Sequence, residues 1–175
     1  MPVILHVEGV YPKFGSNCFI APNATIVGDV EMGDDCSIWF NAVVRGDVNS
    51  IRMGNKVNIQ DGAVIHCTYK RTQTIIGNNV SIGHNAIVHG CTVQDNVLIG
   101  MGAIIMDRAQ IGSNSIIAAG AVVLEETIVP PGTIFAGVPA KKVKDIAVTQ
   151  IQGEIDRIAN NYIKYADWFR DQVTE

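Results

Sequence analysis

Three of the four histidines in this chain of 175 residues lie close together in the sequence, at His66, His84 and His89. Neutral imidazoles bind Zn²⁺ well, and three protein ligands that leave one position open are typical of a catalytic zinc site, not a structural one. Three unrelated surface or interface histidines are the alternative interpretation. His6 lies apart, outside the repeats described below. We predict that His66, His84 and His89 bind a metal ion.

The spacing of His84 and His89 indicates that one chain does not complete this site by itself. Five residues of extended chain span roughly 16 Å, which is too far for both side chains to reach one ion without a sharp fold between them. The two histidines would more naturally serve two different sites. Metal sites between the subunits of an oligomer satisfy that condition.

Two polar clusters precede the histidines. Arg45 and Asp47 are two residues apart, so on an extended strand their side chains can point the same way and suit an ion pair at an interface. Gln60 and Asp61 come shortly before His66. The simpler interpretations are a structural salt bridge between Arg45 and Asp47 and a corner position for Asp61.

The sequence around these residues has a period of six. An apolar residue opens each unit, and longer bridges follow Val44 and Ile65. The openers are Ile20, Ile26, Met32, Ile38, Val44, Met53, Ile59, Ile65, Ile76, Ile82, Val88, Val93, Ile99, Ile105, Ile111, Ile117 and Val123. Gly, Asp or Asn follows many of them and tolerates the left-handed backbone of a sharp corner. A β-sandwich would instead show period-two alternation broken by hairpin turns.

A fixed short period of this kind predicts a parallel β-helix, in which three six-residue units close one coil. We therefore predict a mainly β fold, with the β-helix over residues 1–144. His66 and His89 each follow an opener, and because openers point inward, these two side chains should point outward. The four cysteines form no Cys-x-x-Cys pair and are predicted to be small buried thiols.

From residue 145 to residue 175 the period changes to threes and fours, which predicts one α-helix with an apolar stripe. The stripe comprises Ile151, Ile155, Ile158, Tyr162, Tyr165, Phe169 and Val173. A stripe this regular needs a partner. We expect the helix to pack on the flank of the β-helix or on a neighbouring subunit.

The hexads resemble those of hexapeptide-repeat proteins, a resemblance that implies a left-handed β-helix and a homotrimer. The motif set closely resembles the γ-class carbonic anhydrase family and its near relatives. The motifs are Arg45-Gly46-Asp47, Asn58-Ile59-Gln60-Asp61, His66, Ile82-Gly83-His84, His89-Gly90-Cys91 and Ile99-Gly100-Met101-Gly102-Ala103. This resemblance implies a metal held by His66 and His89 of one chain and His84 of the next. It also implies an Arg45–Asp47 pair across the interface.

The same resemblance implies that Gln60 and Asp61 position the metal-bound water and that Tyr162 lies near the pocket. Zn²⁺, or Fe²⁺ or Co²⁺ in its place, would lower the pKa of that water, and the hydroxide would convert CO₂ to bicarbonate. Val48 stands where the best-studied members carry Glu, and a short basic loop, Tyr69-Lys70-Arg71-Thr72, replaces their acidic one. We therefore expect CO₂ hydration to be slow, or not to be the physiological reaction.

Three other functions remain open. A related metal-dependent hydrolase could cleave a thioester or another acyl compound. An acyltransferase on this fold would use one histidine as a base, bind CoA along the coils and need no metal. A non-catalytic scaffold subunit is the last alternative. Metal content separates the first of these from the other two.

The composition excludes other classes of partner. The net charge is −4, and no cluster of Lys and Arg is long enough to bind nucleic acid through its phosphates. No apolar run approaches the roughly 20 residues that span a bilayer. The N-terminal residues lack the features of a secretory leader, so we expect a cytoplasmic protein without membrane contact.

Overall fold

The computed structural model describes residues 1–172, with residue 152 described by its backbone alone. The chain folds as the predicted left-handed parallel β-helix, with about seven coils and a C-terminal helix. Equivalent strands of successive coils pair in parallel and build three faces, which we name A, B and C.

Face A comprises β1 (Val3–Leu5), the first halves of β4 (Thr25–Met32) and β6 (Val43–Met53), β8 (Val64–His66), β11 (Ile87–His89), β14 (Ile104–Ile105) and β17 (Val122–Val123). Face B comprises β2 (Lys13–Phe14), the second halves of β4 and β6, β9 (Thr74–Ile76), β12 (Thr92–Val93), β15 (Gln110–Ile111) and β18 (Ile128–Val129). Face C comprises β3 (Phe19–Ile20), β5 (Ser37–Ile38), β7 (Asn58–Ile59), β10 (Ser81–Ile82), β13 (Val97–Ile99), β16 (Ser115–Ile117) and β19 (Thr133–Ala136), followed by the antiparallel β20 (Lys141–Asp145).

The predicted openers form the core. From Ile26 to Val123 every opener is buried, and Ile20 in the first coil is half-buried. Each fully buried aliphatic side chain of this size stabilises the fold by about 1.5–3 kcal/mol relative to an exposed one. All four cysteines are free thiols: three are buried, and Cys18 is half-buried.

The corner between faces B and C is held by a ladder of side chains. Asp95 Oδ1 accepts a hydrogen bond from the backbone N–H of Asn78 at 2.6 Å, and Asn78 Oδ1 accepts one from Asn55 at 2.9 Å. Asn55 Oδ1 accepts in turn from the N–H of Asp34 at 2.8 Å. The ladder satisfies backbone donors that the tight corner leaves unpaired, and so keeps successive coils in register.

The first long bridge of the sequence lies within a strand. It is part of the eleven-residue strand β6, which turns the corner from face A to face B and pairs with β4 on both sides of a register shift between Gly28 and Val30. The two strands approach closely where Gly28 faces Gly46, because a Cβ at Gly28 would lie 2.3 Å from the carbonyl oxygen of Gly46. This corner presents Arg45 and Asp47 beside the strand that carries His66.

The helical segment begins later than the period of the sequence predicts. Asp145 pairs with Thr133 as the last residue of β20, so it belongs to the sheet. The helix comprises α1 (Val148–Gln150), a π-helical turn (Ile151–Asp156) and α2 (Arg157–Arg170). Val173, the last predicted residue of the apolar stripe, lies outside the described residues.

The helix packs along face C of its own chain. Phe169 lies against Phe19 and Trp39, with ring centroids 6.1 and 5.8 Å apart, and Tyr162 meets Trp39 edge-on at 5.1 Å. This packing places Tyr162 beside the corner between faces C and A. None of the described helices is both long and apolar enough to cross a membrane.

Candidate metal centre

His66 and His89 lie side by side on the outside of face A. They occupy matching positions on β8 and β11, one coil apart. His66 Nδ1 and His89 Nε2 are 3.2 Å apart, and the ring centroids are 5.2 Å apart. The two nitrogens therefore converge on the same small volume.

Each of these rings has a carboxylate on its outer nitrogen. His66 Nε2 lies 3.0 Å from Asp47 Oδ1, and His89 Nδ1 lies 2.5 Å from Asp107 Oδ1. Because an ionised carboxylate only accepts hydrogen bonds, each neutral ring directs its N–H to its aspartate and its lone pair to the other ring. Two lone pairs that face each other at this distance repel unless a cation lies between them.

The distance between the facing nitrogens suits that cation. Two nitrogen ligands at the usual Zn–N distance, in a tetrahedral arrangement, lie about 3.3 Å apart. The donor set of His66 and His89 therefore fits two of the ligands of a zinc ion. Among the described residues of one chain, no group of three or more His, Cys, Asp or Glu residues comes together to hold a metal.

The electrostatics around His66 favour a neutral ring. Burial lowers the pKa of His66, and the positive charge of Arg45 lowers it further. Burial alone would raise the pKa of Asp47, but hydrogen bonds from Arg45 and His66 outweigh it and leave the pKa below its usual value. A neutral imidazole beside an ionised aspartate is the state that binds a metal.

Arg45 and Asp47 pair within one chain, with Arg45 Nη1 2.5 Å from Asp47 Oδ2. The pair across the subunit interface that the family resemblance implies stays a prediction. Within one chain the arginine contacts the same carboxylate that contacts His66, so it can orient Asp47.

His84, Asp61 and Tyr162 form a second group at the corner between faces C and A. His84 Nδ1 lies 2.9 Å from Asp61 Oδ2, and the Tyr162 hydroxyl is 3.5 Å from His84 Nε2. Burial, with the negative charge of Asp61 adding to it, raises the pKa of Tyr162 to about 12, so its hydroxyl stays protonated at neutral pH. When Nδ1 of the ring donates to Asp61, Nε2 of His84 carries the lone pair and faces the Tyr162 hydroxyl.

The two groups are separate within one chain. Between described side chains, no hydrogen bond or ion pair joins the second group to His66, His89, Arg45 or Asp47. Gln60 belongs to the side of the second group: it is buried and donates from Nε2 to Asn58 Oδ1 at 3.0 Å. Every predicted site residue therefore falls into one of two half-sites.

A cleft of about 350 Å³ extends from the second group along the helix. Gln60, His84 and Tyr162 are its hydrogen-bonding side chains. The remaining lining is apolar or small: Gly83, Leu98, Ile99, Gly100, Met101, Ile116, Ile117, Ala118, Ala119 and Ile158. Because the polar residues lie one or two coils before the apolar ones, the cleft has one polar end and one apolar end.

The sequence alone does not single out two residues of the centre, Asp107 and Thr68. Asp107 Oδ2 accepts a hydrogen bond from Thr68 Oγ1 at 2.6 Å. The signal that could have identified Asp107 is the coil repeat: Val88 pairs with Ile105, so the residues after Ile105 lie one coil beyond His89. Counting by coils, not by hexads, places this carboxylate beside the histidine.

Comparison with known proteins shows the family of this chain. The chain is 40% identical over 168 residues to a carbonic anhydrase of Geobacillus kaustophilus, covering 96% of this chain and 91% of the relative. The chain belongs to the γ-carbonic anhydrase-like family of hexapeptide-repeat proteins. The family resemblance inferred from the motifs is thus confirmed.

A second relative, two repeat patterns and a solved structure support the same family. The chain is 38% identical to the mitochondrial γ carbonic anhydrase 2 of Arabidopsis thaliana, over 93% of this chain, and spans about 60% of the length of that relative. The bacterial transferase hexapeptide pattern matches residues 11–46 and 90–125, and the hexapeptide repeat of succinyl-transferase matches residues 73–106. A solved Bacillus cereus structure, provisionally described as an acetyltransferase, superposes with a TM-score of 0.94 at 36% identity and covers 98% of both chains.

Proposed function

We propose that this family member is a metal-dependent enzyme that reversibly hydrates CO₂ at the interfaces of a homotrimer. His66 and His89 of one protomer and His84 of the next would bind Zn²⁺, with Fe²⁺ or Co²⁺ as alternatives. The observation that carries the proposal is the 3.2 Å approach of two imidazole nitrogens whose outer nitrogens are both held by carboxylates. Relatives named as carbonic anhydrases support the reaction.

The shared site follows from the two half-sites. His84 presents Nε2 at the corner next to face A, whereas the histidine pair lies on face A itself. Face A also exposes apolar side chains around the pair: Ile87 is 37% exposed, Met106 39% and Leu124 47%. Burial of these side chains against the corner of another protomer would bring the third imidazole to the pair, and cyclic symmetry would repeat the site at each interface.

Each protein group in the proposed site has a task that its contacts define. Asp47 and Asp61 hold His66 and His84 by one ring nitrogen and leave the other for the cation. Gln60 and the protonated Tyr162 hydroxyl line the cleft and can hydrogen-bond the oxygens of CO₂ or bicarbonate. When bound, Zn²⁺ acts as a Lewis acid that makes water nucleophilic near neutral pH.

Proton release is the step that position 48 cannot support, because this chain has valine there. Val48 is half-buried against the core, and Lys70 donates its backbone N–H to the carbonyl of Val48 at 3.5 Å. A valine under a basic loop cannot carry a proton away from the site. We therefore expect turnover to depend on buffer as the proton acceptor, and to be slow in weak buffer.

Elemental analysis of protein purified without chelator or affinity metal tests the proposal, together with stopped-flow CO₂ hydration. We expect about one metal per protomer in the wild type and loss of both metal and activity in His84→Ala. Asn41→Ala, at the same corner two coils earlier, is the matched control and should keep both. A wild-type protein without metal, or fast hydration that is independent of buffer, would contradict the proposal.

The apolar end of the cleft favours a second candidate, hydrolysis of an acyl compound at the same metal. CO₂ fills only a small part of a space of about 350 Å³, and an aliphatic chain would bury its surface against Leu98, Ile116 and Ile158. Assays with esters of increasing chain length would show a rate that rises with length. The acetyltransferase description of the Bacillus cereus relative supports an acyl-transfer alternative, which metal-independent activity would reveal.

A further inference from the structure

Asp107 joins three successive coils. It follows β14 in the sixth coil and is 15% exposed by side chain. One carboxylate oxygen lies 2.5 Å from His89 Nδ1 in the fifth coil, and the other accepts from Thr68 Oγ1 in the fourth. Both oxygens are therefore committed to named partners, and the carboxylate cannot turn without breaking one of these contacts.

The local backbone makes room for this carboxylate. Gly90 follows His89 with a φ of +56°, and a Cβ there would lie 2.3 Å from both Asp107 Oδ1 and Thr72 Oγ1. Any larger residue at this position would push the carboxylate away from the histidine. The close packing of Gly90 and Asp107 is independent of the hydrogen bonds and points to the same fixed placement.

The contact determines which nitrogen of His89 is available. Since the carboxylate accepts only, Nδ1 of the neutral ring carries the hydrogen and Nε2 carries the lone pair. Nε2 is the nitrogen that lies 3.2 Å from His66 Nδ1. Asp107 thus does for His89 what Asp47 does for His66 and Asp61 does for His84.

We propose that Asp107, supported by Thr68, is a positioning residue that fixes the tautomer and orientation of His89 for metal binding. The metal part of this inference rests on the proposed function, but the tautomer part does not. Thr68 also ties the loop between faces A and B to the centre, since its backbone N–H donates to Thr72 Oγ1 at 3.0 Å. Asp107 and Thr68 therefore support one proposed metal ligand, His89, and connect it to this loop.

The first test uses metal-free protein labelled with ¹⁵N histidine, at a pH where the rings are neutral. The four histidines give few resonances, and a His89→Gln variant assigns the one of interest. In the wild type and in Asp107→Asn, whose amide oxygen can still accept, Nδ1 of His89 should be the protonated nitrogen. In Asp107→Ala we expect a mixture of the two tautomers. A wild-type tautomer in Asp107→Ala would overturn the proposal.

The second test measures zinc affinity by competition with a chromophoric chelator and records the visible spectrum with Co²⁺. Asp107→Ala should bind zinc about 10–100-fold more weakly and change the Co²⁺ spectrum, with Asp107→Asn between it and the wild type. Asp95→Ala is the matched control, because Asp95 also accepts through its carboxylate, but from the backbone N–H and the side-chain amide of Asn78 and not from a histidine. It should keep the wild-type affinity. Wild-type affinity in both Asp107 variants would overturn the proposal.

The two tests separate this inference from the proposed function. If the wild type binds no zinc but the tautomer of His89 changes in Asp107→Ala, the metal function fails while the role of Asp107 stands. If Asp107→Ala does not fold, Thr68→Val removes only the hydroxyl that holds the second carboxylate oxygen. That variant should broaden or shift the His89 resonance, and an unchanged resonance would count against the proposal.

Discussion

At the scale of single residues, the candidate centre is built from three imidazole–carboxylate pairs. His66, His84 and His89 each have one ring nitrogen within hydrogen-bonding distance of an aspartate. Such a partner raises the basicity of the ligand and fixes which nitrogen faces the cation. Each aspartate is distant in the sequence from the histidine that it contacts, so it is the fold that brings the three pairs together.

Acid should destabilise the metal-free protein in two steps. Burial lowers the folded-state pKa of His66 below 6.5, so the unfolded chain binds the proton first, and stability falls as pH drops from about 6.5 through the folded pKa. Asp47 and Asp107 also have lowered pKa values, so their contribution is lost at lower pH, as they are protonated below about 4.

Urea unfolding measured between pH 8 and pH 3 checks this expectation. His66→Gln should flatten the first step and leave the second one in place. His6→Gln is the control, because His6 lies outside the coils and contacts only the N-terminal segment. An unchanged slope between pH 7 and pH 5 in His66→Gln would contradict the explanation.

At the scale of elements, the strands could be predicted from the sequence and their connections only in part. Hexad openers such as Ile82 and Val88 are buried because the period of the chain matches the period of the coil. The continuity of β6 was not predictable from the period, since it depends on the close approach of Gly28 and Gly46 in neighbouring coils. The link from His89 to Asp107 depends on coil register in the same way.

The helix, like the strands, could be predicted from the sequence only in part. Its apolar stripe indicated a helix, but two buried alanines, Ala159 and Ala166, share the contact face, and hydrophobic size alone does not single them out. The start was misplaced because Lys141–Asp145 adds an antiparallel strand to face C, which the local period does not reveal. Contacts between residues that are distant in the sequence determine both the contact face of the helix and the residue at which it starts.

The aromatic contact between the helix and face C gives a prediction about stability. Phe169 packs against Phe19, Trp39 and Phe40, whereas its neighbour Trp168 is 58% exposed. Phe169→Ala should lower the free energy of unfolding by about 2–4 kcal/mol, and Trp168→Ala by about 1 kcal/mol or less.

Chemical denaturation followed by circular dichroism measures both values. Because the same helix holds Tyr162 against Trp39, Phe169→Ala should also loosen the contact between Tyr162 and His84. Equal losses in the two alanine variants would show that the aromatic cluster does not dock the helix.

At the scale of the whole molecule, the chain presents the histidine pair and His84 at two places on its surface. His66 and His89 project from face A, and His84 from the neighbouring corner. If the metal lies between protomers, as proposed, oligomerisation and metal binding are interdependent. The trimer and the cytoplasmic location stay predictions.

Co-assembly of two inactive variants tests the shared centre most directly. His84→Ala lacks one half-site and His89→Ala lacks the other, so each alone should form trimers without tightly bound zinc. Mixed trimers that contain both variants should recover about a third of the wild-type zinc and activity, because one of their three interfaces then combines an intact pair with an intact His84.

Differently tagged variants, co-expressed and purified through both tags, provide the mixed trimers for zinc analysis and CO₂ hydration. The double variant His84→Ala/His89→Ala, mixed with wild type in the same way, controls for dilution of intact chains. Recovery of zinc and activity in the mixture of single variants is the result predicted here. Mixed trimers that contain no more zinc than either variant alone would contradict a metal centre shared between protomers.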